Sequence, residues 1–150
     1  MERGEKPMIQ TAFKILVVED DPNMREMLSH ILLIDGYDVL LAGDGREALG
    51  VLEQERDIDL VISDFRMPTM NGADLNLTMQ EREITCPFIL CTGSPELIPT
   101  DVLPRLNLHA LITKPYPSAV IEQHVSALVA KKSQDETSFE AMANPKKGTR

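Results

Sequence analysis

Five short runs of apolar, largely β-branched residues recur along this chain: Lys14–Val18, Tyr37–Ala42, Leu60–Ile62, Pro87–Thr92 and Ala110–Thr113. Each is followed by turn or capping residues and then by apolar residues at helical spacing. Continuous runs of this length predict strands buried on both faces. Strand and helix alternate five times, which predicts a parallel sheet joined by right-handed crossovers, with helices on both faces. The arrangement expected is α/β, a doubly wound five-stranded parallel sheet in the flavodoxin-like order 2-1-3-4-5. Its switch point lies between the first and third strands, and ligands of such sheets bind at the carboxyl ends of the strands there.

The helices have their own signals. Asp21 is an N-cap with Pro22 in the first turn, and Met24, Met27, Leu28, Ile31 and Leu32 mark an inner face. The two methionines read as core filling, and Gly36 as the stop. Asp44 with Glu47 forms a capping-box pattern ahead of Ala48, Leu49 and Leu52. A third helix is expected from about Ala73 to Glu83. Pro95, Pro99 and Pro104 interrupt the next segment, so only a short helix is expected, starting near Thr100 or Asp101. Val120, Ile121, His124, Val125 and Leu128 mark a last helix, ending near Lys131 and Lys132. The expected organisation is an N-terminal extension over 1–12, one domain over 13–132 and a polar tail over 133–150. A chain of 150 residues suits one domain with a proper core.

The ends of the first and third strands carry acids. Val18 runs into Glu19, Asp20 and Asp21, and Leu60–Ile62 into Ser63 and Asp64. A lone aspartate is usually a solvated loop residue, and a loop tolerates three consecutive acids at little cost. At a switch point, however, Glu19, Asp20 and Asp64 crowd together, and carboxylates so placed repel one another unless a cation shares them. An oxygen-only donor set suits magnesium. The same edge gathers the Thr92 hydroxyl and the Lys114 ammonium. With a cation present, Asp64 can attack a phosphoryl group to give an acyl phosphate, with Lys114 and Thr92 facing its oxygens.

Composition narrows the classes. The formal charge of −9 disfavours non-specific attraction to nucleic acid or anionic lipid. No apolar run approaches a membrane span, and Met1–Gln10 has no secretory core, which points to the cytoplasm. Cys86 and Cys91 lack zinc-like spacing and read as buried, reduced thiols.

Together, Leu16-Val17-Val18-Glu19-Asp20-Asp21, Asp64-x-x-Met67-Pro68-x-Met70-x-Gly72, Thr92-Gly93 and Lys114-Pro115 resemble the CheY-like receiver domain of two-component response regulators, over about Lys14 to Lys131. The resemblance implies that Asp64 is the phospho-acceptor, taking its phosphoryl group from a sensor histidine kinase or phosphotransfer protein. It implies magnesium held by Glu19, Asp20, Asp64 and the backbone carbonyl of Arg66. Thr92 would be the switch hydroxyl, Lys114 the phosphoryl partner, Lys114–Pro115 a cis peptide, and Gly93 a position kept small for donor access. Signalling would follow by binding a downstream protein, without direct contact to nucleic acid or membrane. The domain would be stand-alone or excised, a regulatory phospho-acceptor with only magnesium-dependent self-phosphorylation and dephosphorylation. In one respect the chain departs: the aromatic usually found three residues before the lysine is Leu111, which has neither ring nor hydroxyl. That departure keeps a second reading open, a constitutive protein-interaction module on the same fold. A phosphatase would want a general acid at Arg66, which arginine cannot supply. A flavin protein would need a phosphate cradle where Glu19-Asp20-Asp21 stands.

Overall fold

The computed structural model describes residues 12–143. It contains five strands, β1 (Lys14–Val18), β2 (Asp38–Ala42), β3 (Leu60–Asp64), β4 (Phe88–Thr92) and β5 (Ala110–Thr113). All neighbours are parallel, in the order β2-β1-β3-β4-β5. Three helices are interleaved with the first four strands: α1 (Pro22–Ile34), α2 (Gly45–Gln54) and α3 (Gly72–Glu81). The chain divides into two compact units between Tyr116 and Pro117. In the second, α4 spans Ser118–Ala143.

Strand composition accounts for the sheet. Side chains alternate across a strand, so Leu16, Val18, Val61, Phe88 and Leu90 turn towards one face. There they share a core cluster with Ala48, Leu49 and Leu52 of α2 and Ala73, Leu75 and Met79 of α3. Ile15, Val17, Leu60, Ile62 and Ile89 turn to the other face, equally buried. Helices on both faces are what these two-sided apolar strands require.

Helix starts follow their capping residues. Asp21 accepts from Asn23 N at 2.9 Å, with Pro22 opening α1. Asp44 accepts from Glu47 N at 2.8 Å, while Glu47 reaches back to Gly43 N rather than to the cap itself. Asn71 caps α3 by accepting from Asp74 N. Gly36, at φ +94°, ends α1 in the left-handed region that glycine enters without strain.

Three expectations are corrected. Met24 and Met27 are 39% and 53% exposed, not core filling, because α1 buries a narrow stripe around Ser29 and Leu32 and the methionines fall outside it. No α-helix forms near Thr100 or Asp101. The β4–β5 connection instead makes two 3₁₀ turns, Pro95–Leu97 and Leu103–Arg105, since three prolines remove the amides a longer helix would need. The last helix does not stop at Lys131 or Lys132. It runs to Ala143, because Ser133–Ala143 contains neither Gly nor Pro and is rich in strong helix formers. Within α4, Ile121, Val125 and Leu128 are buried on one stripe. Residues 1–11 of the expected extension and 144–150 of the expected tail lie outside the described residues.

Candidate functional site

β1 and β3 are direct neighbours, with Val18 in register with Ser63. Their carboxyl ends therefore deliver Glu19, Asp20 and Asp64 to one place, where one oxygen from each lies within 4.8 Å of the others. Glu19 is buried, Asp64 half-buried and Asp20 exposed. From the end of β5, Lys114 Nζ reaches Asp64 Oδ1 at 2.7 Å and Glu19 Oε1 at 3.3 Å. Lys114 N also donates to Thr92 O at 2.8 Å, which ties the lysine loop to β4.

The charges are out of balance in a telling way. Burial and then the negative charge of Asp64 push the Glu19 carboxyl up, against a smaller opposing pull from Lys114. Burial alone would pull Lys114 down, but its bond and charge interaction with Asp64, joined by Glu19, outweigh that and leave it raised. One ammonium thus serves two carboxylates, and Asp20 adds a third. The donor set is all oxygen, clustered and under-neutralised, and it fits a hard divalent cation such as magnesium. Arg66 lines the adjoining cleft of about 520 Å³ together with Asp20, Phe65, Met67, Pro68, Asn71 and Leu97.

Thr92 is 2% exposed, and its Oγ1 accepts from Ser94 N at 3.0 Å. The Lys114–Pro115 peptide is cis. A Cβ on Gly93 would meet nothing nearer than Lys114 Cβ at 4.0 Å, so packing does not demand glycine there. Leu111 is 37% exposed on the edge strand.

Two contributors escaped the sequence reading. Ser63, fully buried, donates from Oγ to Asp64 O at 2.8 Å and steadies the backbone behind that carboxylate. Arg25 Nη1 donates to Glu19 O at 2.7 Å. Its position four residues after the Asp21 cap, where helix side chains lean towards the N-terminus, was the available signal. Ser63 offered none.

Cys91 is buried as expected, whereas Cys86 is only half-buried. Burial, then Asp59, pushes Cys86 up to about 12. Burial likewise pushes Cys91 up to about 12, despite its hydrogen bond with Tyr116, whose hydroxyl burial also pushes up. A move from 9.0 to about 12 cuts the thiolate at neutral pH roughly a thousandfold. An aromatic disulfide reagent is therefore expected to label both cysteines rapidly in urea, and in the native protein to reach the half-buried Cys86 before the buried Cys91. Native labelling of Cys91 as fast as in urea would contradict its burial.

The family model for the response regulator receiver domain matches residues 15–126. Among curated relatives, the alkaline phosphatase synthesis transcriptional regulatory protein PhoP of Bacillus subtilis is 29% identical over 116 residues, covering 77% of this chain and 48% of that protein. The DNA-binding response regulator MtrA of Mycolicibacterium smegmatis is 32% identical over 125 residues, covering 82% and 53%. The chain thus spans about half the length of these two relatives. Among solved structures, the signal receiver domain of a signal transduction histidine kinase from Syntrophus aciditrophicus is 36% identical with a TM-score of 0.69, covering 80% of this chain and 92% of that one. With sheet order, acidic edge and family match in agreement, the chain belongs to the response regulator receiver domain family.

Proposed function

We propose that this receiver accepts a phosphoryl group on Asp64 from the phosphohistidine of a sensor histidine kinase or phosphotransfer protein, and signals by phosphorylation-dependent binding of a downstream protein. One observation carries the reading: Lys114 Nζ, 2.7 Å from Asp64 Oδ1, faces a carboxylate whose oxygens lie within 4.8 Å of those of Glu19 and Asp20. An Asp64 oxygen attacks phosphorus, the phosphorus–nitrogen bond breaks, and its electron pair returns to the donor imidazole. Lys114 then neutralises charge on the phosphoryl oxygens. The Thr92 hydroxyl, which accepts from Ser94 N, can turn its proton to one of them. Glu19, Asp20 and Asp64, with the Arg66 carbonyl, would hold magnesium, which when bound supplies further charge neutralisation at the phosphoryl oxygens. Gly93 leaves the approach beside Lys114 Cβ clear of a side chain, which supports donor access.

The receiver in this reading occupies residues 13–132 and acts in the cytoplasm, away from membrane and nucleic acid. No described helix is long and apolar enough to cross a membrane. It catalyses nothing beyond its own phosphorylation and dephosphorylation. Leu111 favours the second reading, a constitutive interaction module, since a partly exposed leucine has no hydroxyl to trade between partners.

Intact mass after incubation with a small-molecule phosphodonor separates the two. One labile phosphoryl group is expected with magnesium and none with a chelator. Uptake of none under either condition would sink the phospho-acceptor reading. Magnesium alone is expected to raise the melting temperature, since a ligand at about 100 times its dissociation constant stabilises by about 2.7 kcal/mol. An Asp20→Asn variant should lose most of that rise. A melting temperature indifferent to saturating magnesium would overturn the assignment of these three carboxylates as the metal site.

A further inference from the structure

The β4–β5 connection is moored at two ends by different means. At its start, Ser94 N donates to Thr92 Oγ1 at 3.0 Å. Near its end, Asn76 of α3, 3% exposed, pairs with both backbone groups of Asn107: Nδ2 donates to Asn107 O at 3.0 Å, and Oδ1 accepts from Asn107 N at 2.9 Å. A carboxamide presents donor and acceptor much as a peptide does, so Asn76 stands in for a neighbouring strand just before β5 begins. Gln80, one turn further along α3, donates from Nε2 to Asn76 Oδ1 at 2.9 Å and to Arg105 O at 3.0 Å.

Between the moorings the connection has only short-range backbone bonds. Leu97 N donates to Ser94 O, Ile98 N to Pro95 O and Leu106 N to Leu103 O. Ile98 is 3% exposed and belongs to the main core cluster, while Leu97 lines the cleft beside Asp20 and Arg66. The two ends are unequal in kind. The first has a single side-chain hydrogen bond, to a hydroxyl that a phosphoryl oxygen can claim, and otherwise rests on the burial of Ile98. The second depends on three hydrogen bonds between the connection and a helix, with Gln80 bracing Asn76 from within that helix. The start of the helix, Gly72, is itself tied to the Asp64 loop through Gly72 N to Phe65 O at 2.8 Å.

We infer that Asn76 and Gln80 form a fixed hinge for the 94–108 segment, so that release of the Thr92 hydroxyl opens the segment from its N-terminal end and turns it about residues 105–107. The inference rests on the reading of Thr92 as the switch hydroxyl only for its trigger. The hinge itself is a property of the unmodified fold. Opening in this sense frees Leu97 at the cleft beside Asp20 and Arg66, loosens Ile98 in the core cluster and leaves the entry to β5 in place.

Amide-resolved hydrogen exchange on the full chain tests it, using Thr92→Val to remove the acceptor without any phosphoryl group. Its outcome is therefore separate from that of the phosphodonor assay. Leu97 and Ile98 are expected to exchange about tenfold faster, and Asn107 and His109 at the wild-type rate. Adding Gln80→Ala, at an exposed position, should bring Asn107 into the faster group. Asn76→Ala alone should speed Asn107 and leave Ile98 unchanged; where it compromises folding, the Gln80→Ala pair still decides. Acceleration of Asn107 in step with Ile98 in Thr92→Val would overturn the hinge, as would acceleration of neither.

Discussion

Asp64→Asn is expected to take up no phosphoryl group from any donor while keeping its fold. The amide is nearly isosteric, so the half-buried position at the end of β3 is filled as before. A neutral carboxamide has no nucleophilic oxygen at physiological pH, and the whole uptake should vanish. The change also alters the charges left behind. Asp64 helps push the Glu19 carboxyl up, so its removal should let Glu19 fall back towards its ordinary range. Lys114 then serves Glu19 alone. The variant should therefore bind magnesium weakly and lose the magnesium-dependent rise in melting temperature. Intact mass reads the first effect and a thermal melt the second. Phosphorylation persisting in Asp64→Asn would move the acceptor to Asp20, since Asp21 is engaged in capping α1. Lys114→Ala should differ in kind: it keeps the nucleophile but leaves Glu19 and Asp64 without their shared cation, and it should weaken the response to phosphorylation.

The parts of this molecule that could be read from sequence are those governed by local rules. A continuous apolar run fixes a two-sided strand, and four of the five strands start and stop within a residue of their hydrophobic limits. Asp21-Pro22, Asp44 and Gly36 are local devices, and each acts where its sequence places it, whereas Glu47 answers at Gly43 N and not at the cap. The meeting of Glu19, Asp20, Asp64 and Lys114 was legible because sheet order follows from alternation, and the switch point then follows from sheet order. What escaped depends on distant partners. Nothing near Pro95, Pro99 and Pro104 announces that Asn76, 31 residues before Asn107, pairs with the backbone of Asn107 just before β5. Met24 and Met27 have helical spacing, but spacing gives the direction of a face and not its width. The length of α4 is not legible from polar composition, because a helix ends at an actual terminator and Ser133–Ala143 contains neither Gly nor Pro.

Gly72→Ala is expected to be the most damaging small substitution in the first unit, and to damage the site with the fold. In the sequence Gly72 is loop punctuation after Met67-Pro68. In the structure it is a point of close approach. A Cβ there would overlap the backbone oxygen of Asp64, lie 2.6 Å from Leu90 Cδ1 and 3.1 Å from Ser63 Oγ. Leu90 is fully buried and cannot swing away, and the Asp64 oxygen is backbone held by Ser63. Relief has to come from shifting α3 or the end of β3, so a cost of about 3 kcal/mol is expected, at the upper end for overpacking a core. Because α3 starts at Gly72, the shift carries the Asp64 loop with it, and phosphoryl uptake should slow even in the molecules that remain folded. Gly50→Ala supplies the contrast. Gly50 lies within α2, a Cβ there meets nothing within 4 Å, and its replacement should stabilise by about 0.5–1 kcal/mol through helix propensity. Urea midpoints of the two variants should therefore move in opposite directions from that of the parent chain. Midpoints moving together, or a Gly72→Ala midpoint unchanged, would show that the β3–α3 junction yields freely, and the tight backing of Asp64 argued from Ser63 and Gly72 would have to be abandoned.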